Sequence, residues 1–140
     1  MVKLVTGNII DLADRGILNV IAHCCNCRAR FTGPTSIAIG ARWPRMVLLD
    51  AQKHSQFNGA ELGQIESGHF KEEHLSIVNC YTQAMTGENH NDEAFKSCMN
   101  KLYLEYGTKN MRIGISELTQ RQIEILRTIF VNRDINVITW

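Results

Sequence analysis

Residues 23–27 read His-Cys-Cys-Asn-Cys, placing three thiols, an imidazole and an amide within five positions. Such a cluster could ligate a metal, carry thiol redox chemistry, or bind a polar ligand. Structural zinc sites use paired ligands two to four residues apart with a second pair elsewhere. Here the remaining cysteines, Cys80 and Cys98, stand singly on other segments, so neither a metal nor a cofactor is expected. The Cys24–Cys27 pair falls at a strand end rather than at a helix N-terminus, which would lower a thiol pKa. The thiols therefore read as small buried hydrophobes, since free cysteine is among the most buried residue types. Asn26 is the residue of interest. It lies where an apolar strand gives way to a glycine-containing loop, and ligands of α/β sheets gather at the carboxyl ends of strands. Its amide offers a donor and an acceptor suited to a pair of ribose hydroxyls, and the same amide could instead cap the following turn.

The elements that position Asn26 follow from hydrophobic periodicity. Val2–Val5 predicts a first strand closed by Gly7, and "NIIDLADRG" a helical turn stopped at Gly16. Ile17–Cys25 is almost continuously apolar, the pattern of a central strand covered on both faces. "RARFTGPTS" reads as loop, and "SIAIGARWP" as a short helix ended by Pro44. A second helix runs from Pro44 to about Ser55, with Val47, Leu48 and Ala51 at helical spacing. "ELGQIESGHF" and "LSIVNCYTQ" read as strands separated by "KEEH". Asp92–Tyr106 places Phe95, Met99, Leu102 and Tyr106 on one helical face. "MRIGI" is a strand. Ser116 then N-caps a helix through Phe130 with Leu118, Ile123, Leu126, Ile129 and Phe130 as its buried stripe, and "INVITW" closes the chain as a strand. Alternating strands and helices predict an α/β fold, a three-layer α/β/α sandwich with a mixed, mostly parallel central sheet.

Composition limits the partners. The 140 residues are 44% hydrophobic, enough for one core, so residues 1–140 are expected to form a single domain. Lys plus Arg (15) nearly balance Asp plus Glu (14), and the charges are scattered, so nucleic acid is not expected as a partner. No apolar run approaches bilayer length, the N-terminus lacks a signal-peptide pattern, and five cysteines make a poor disulfide framework; a cytoplasmic location without membrane association is expected.

"GNI" at residues 7–9, "IAHCCNCRARFTGPTSIAIGARWP", "LGQIESGHF", "IVNCYTQ" and "RIGI" followed by a helix and strand, in this order, resemble the macro domain, in particular the small phage and bacterial branch that includes ADP-ribose phosphatase-like proteins. The resemblance covers most of the chain and is carried by the shared order of these anchors. It implies an ADP-ribose-like nucleotide across the carboxyl ends of the strands, held by Asn8, Ile9, Asn26, Thr32, Gly33, Thr35, Gln83 and Ser116. The family's Gly-Asp-Ile turn reads adenine; here Asn8 replaces the carboxylate. The family's asparagine near the distal ribose is kept as Asn26. The first phosphate loop, rich in glycine in the family, retains only Gly33 beside Pro34, which has no N–H, with Arg28 and Arg30 nearby. The second glycine-rich loop is missing: Ser116 leads straight into "ELTQRQIEIL". Because hydrolysis depends on aligning the scissile bond, this loss implies weak or absent ADP-ribose phosphatase or ADP-ribosyl hydrolase activity. His23, His90, Asp92 and Lys96 are candidate catalytic groups, though a lone histidine beside a buried strand more often satisfies the core. The alternative is a catalytically inactive macro fold serving as a protein-binding module, host-directed if phage-encoded, which exposed Phe31 or Trp43 would favour.

Overall fold

The computed structural model describes residues 1–28, 31–56, 62–84 and 90–139. Six strands, β1 (Val2–Thr6), β2 (Val20–Asn26), β3 (Ile65–Phe70), β4 (Leu75–Gln83), β5 (Ile113–Ser116) and β6 (Ile135–Thr139), form one sheet in the order β1-β6-β5-β2-β4-β3. All neighbours run parallel except β3, which pairs antiparallel to β4. The helices are α1 (Ile9–Asp14), α2 (Pro34–Arg42), α3 (Pro44–Gln56), α4 (Asp92–Tyr106) and α5 (Gln120–Ile129).

Two apolar layers cover the sheet, as the continuous hydrophobicity of its central strands requires. On one face α4 and α5 pack Phe95, Met99, Leu102, Ile123 and Leu126 against Val20, Ala22, Val78 and Ile115. On the other, α1, α2 and α3 bring Leu12, Ile39, Trp43 and Met46 against Ile21 and Ile77. Each such side chain contributes about 1.5–3 kcal/mol on burial. The three-layer α/β/α sandwich expected from the sequence is the observed architecture.

Five local expectations need correction. Strand β2 begins at Val20, not Ile17, because the N–H groups of Ile17 and Leu18 bond back to Leu12 O in the turn that leaves α1. Helix α2 begins at Pro34, not Ser36, because proline's fixed φ suits the first helical position. Strand β3 begins at Ile65: Gly63, at φ 87°, makes a left-handed turn ahead of it. Ser116 does not cap α5 but extends β5, paired with Ile138; the cap is Thr119, whose hydroxyl accepts from Gln122 N while Gln122 Oε1 accepts from Thr119 N. Val47, Leu48 and Ala51 face outward on α3, and Met46 and Asp50 face the core, with Asp50 accepting a 2.6 Å hydrogen bond from Tyr81 Oη. A buried carboxylate on the inner face masked the helix's true orientation.

The topology also fixes where a ligand can enter. From β2 the chain passes across α2 and α3 to β3 and β4 on one side, then returns across α4 to β5 and β6 on the other. The reversal between β2 and β5 leaves a crevice at their carboxyl ends, the place where open α/β sheets bind ligands.

Candidate functional site

A cleft of about 340 Å³ occupies this crevice, within the range of ligand pockets. Asn26, Gln83 and Ser116, the last residues of β2, β4 and β5, form one wall. Thr32 and Gly33, leading into α2, and Thr35 and Ser36, in its first turn, form the other. His23, Cys24, Cys25, His90 and Glu117 complete the lining.

Six of the eight ligand contacts expected from the sequence therefore converge: Asn26, Thr32, Gly33, Thr35, Gln83 and Ser116. Asn8 and Ile9 lie outside the cleft. Ile9, the first residue of α1, is buried in the core, and Asn8 caps that helix, its amide oxygen accepting from Ile10 N (2.9 Å) and Asp11 N (3.2 Å). An oxygen already holding two N–H groups has no lone pair to spare for an exocyclic amine. Asn26 is 2% exposed, and its Oδ1 accepts from Arg28 N at 2.9 Å, the turn-capping role that the sequence left open beside ribose binding. Arg28 does not line the cleft, and Arg30 lies outside the described residues.

His23 forms the floor. Asparagine oxygen only accepts, so the 2.6 Å contact to Asn79 Oδ1 places the proton on Nε2, and Nδ1 accepts from Ser36 Oγ at 2.8 Å. Burial pushes its pKa down to about 4, so the ring is neutral at physiological pH with both nitrogens engaged. Phe31 packs edge-on against it. This is a satisfied core histidine that orients Ser36. His90 hydrogen-bonds Thr82 Oγ1 at 2.6 Å, and burial lowers its pKa as well. Asp92 and Lys96 stay outside the cleft, paired on the surface with Arg121 and Glu93.

The cysteines behave as small apolar groups. All five are free thiols; burial raises Cys24 to about 12 and pushes Cys25 well above its ordinary value, so neither supplies a thiolate near neutral pH. Among the described residues, no group of three or more His, Cys, Asp or Glu side chains could hold a metal ion.

Sequence reasoning missed Glu117 and Ser36. Glu117 follows β5 with a left-handed backbone (φ 60°), and its Oε1 accepts from Thr35 N at 2.5 Å across the cleft. Beside that contact, Thr35 Oγ1 and Ser116 Oγ share a hydrogen bond of 2.8 Å. Pro34 could have pointed to Ser36: proline at the first helical position puts Ser36 in the first turn, facing the strand that carries His23. No local signal announces Glu117, whose partner lies 82 residues away in sequence.

Comparison with solved structures identifies the fold. A macrodomain protein from Streptomyces coelicolor superposes with a TM-score of 0.82 at 14% identity, covering 100% of this chain and 99% of that one. The macrodomain of Thermus aquaticus DarG gives 0.78 at 12% identity, with the same coverage. Thermosipho africanus DarTG, solved in complex with ADP-ribose, gives 0.75 at 9% identity over 98% of this chain and 41% of that one. The chain has the macrodomain fold. No family model and no curated protein matches its sequence.

Proposed function

We propose that the chain binds ADP-ribose or a related nucleotide in the β2/β5 cleft. The observation that carries this reading is the convergence of Asn26, Thr32, Gly33, Thr35, Gln83 and Ser116 in one cavity at the strand ends. A protein of the same fold has been solved with ADP-ribose, which agrees with it.

The phosphate grip is thin. Pro34 contributes no N–H to the first turn of α2, and only Glu117, Leu118 and Thr119 connect β5 to α5, none of them glycine. Backbone donors that approach a phosphate closely are correspondingly few. Binding is therefore weak, and ADP-ribose phosphatase or ADP-ribosyl hydrolase turnover weaker still, because poor alignment costs rate more than affinity.

The alternative of a protein-binding module keeps less support. Trp43 is 3% exposed and donates from Nε1 to Glu73, and Phe31 is half-buried against His23, so neither offers an apolar docking surface. Calorimetric titration with ADP-ribose, using AMP and the 1''-phosphorylated form as controls, tests the reading. Binding in the micromolar to low millimolar range, with ADP-ribose stronger than AMP, is expected; silence from all three overturns it.

A further inference from the structure

Helix α2 lacks a capping side chain of its own: Gly33 occupies the N-cap and Pro34 has no N–H, which leaves Thr35 N as the first orphan donor of the helix. Glu117, arriving from the far wall, takes that donor through Oε1. Its other oxygen abuts Gly33 so closely that a Cβ there would lie 3.1 Å from it. The carboxylate of this exposed residue thus bridges the two walls, beside the Thr35–Ser116 hydrogen bond, at the positive end of the helix. Among the described lining residues Glu117 is the only acid, and none of them is a Lys or Arg.

We propose that Glu117 is a built-in anion that closes one end of the cleft and sets its charge selectivity. A ligand phosphate approaching α2 must displace this carboxylate, so the chain holds down its own affinity for diphosphates and favours ligands that are uncharged at that end. Discrimination of this kind comes from a repulsive element placed in the site. The proposal rests on the nucleotide-binding reading of the same cleft, and on a carboxylate that can be replaced without substituting any of the residues that would hold the ligand.

Two variants isolate it. Glu117→Gln keeps an oxygen for Thr35 N and removes the charge; Glu117→Gly vacates the site and suits the left-handed backbone at this position. Each is titrated calorimetrically with ADP-ribose and with inorganic pyrophosphate, after near-UV circular dichroism verifies native packing. The expected result is about a tenfold gain in ADP-ribose affinity for Glu117→Gly, a smaller gain for Glu117→Gln, and pyrophosphate binding in the variants alone. Should Glu117→Gly not fold, the sign of the change in Glu117→Gln decides. If the native chain binds ADP-ribose and neither variant binds it more tightly, the proposal fails while the nucleotide reading stands. If the variants bind pyrophosphate and none of the proteins binds ADP-ribose, the nucleotide reading fails and the built-in anion stands. If no protein binds either probe, both fail.

Discussion

His23 shows how burial decides the role of a reactive-looking side chain. In the folded chain its pKa is near 4, whereas in an unfolded chain it is about 6.5. Between these values the unfolded state binds more protons, so stability is complete above about pH 6.5 and is lost as pH falls towards 4. The loss amounts to roughly 3 kcal/mol from this residue at pH 4, readable in urea unfolding curves at stepped pH. Ring-nitrogen NMR signals are expected to show neutral His23, with the proton on Nε2, down to pH 5. Titration of that ring near 6.5 would remove it from the core network. Asn26 is predicted to matter to the ligand as well as to its own turn: Asn26→Ala should weaken ADP-ribose binding by about 1–3 kcal/mol, measured by calorimetry, because the cleft then presents unpaired polar groups. Unchanged affinity would confine Asn26 to the turn. Within "HCCNC" the residue types marked the thiols as small buried groups; His23, Cys25 and Asn26 are buried, and Cys24 and Cys27 are half-buried. What sequence could not rank was ribose contact against turn cap, since both roles ask for the same amide at the same strand end.

At the scale of elements, periodicity located α4 to the residue, because Phe95, Met99, Leu102 and Tyr106 repeat without interruption over about three turns. It failed where a polar residue stands on an inner face or a cap depends on distant partners. Asp50 on α3 is buried and accepts from Tyr81 Oη, a contact between β4 and α3 that local sequence does not contain. Ser116 looked like a helix cap and is held in β5 by pairing with Ile138 and by Thr35. Thr119 and Gln122, by contrast, carry a readable capping-box spacing. Thr119→Ala is expected to cost about 1 kcal/mol in urea unfolding without altering the denaturant slope. A loss below the error of the measurement would mean that packing of Ile123, Ile125 and Leu126 alone fixes the start of α5.

For the whole molecule, one six-stranded sheet with an apolar layer on each face predicts that the described parts unfold together. Far-UV and near-UV circular dichroism should therefore lose signal in a single coincident thermal transition; resolved transitions would show separable layers. The fold class was legible because strand and helix patterns alternate and the strands are continuously apolar. Three of the six cleft residues that were foreseen end β2, β4 and β5, where the sheet's own geometry places them. Glu117 was not foreseen, because its meaning depends on the reversal of the chain that brings the ends of β5 and the start of α2 together.

The central claim is that this crevice takes an ADP-ribose-like nucleotide, and its most direct test is amide NMR of the isotopically labelled chain during titration with ADP-ribose. The account predicts saturable shifts concentrated at Asn26, Thr32, Thr35, Ser36, Gln83, Ser116 and Glu117, with Asn8 unmoved. Shifts confined to other surfaces, or none at millimolar ligand, would contradict it.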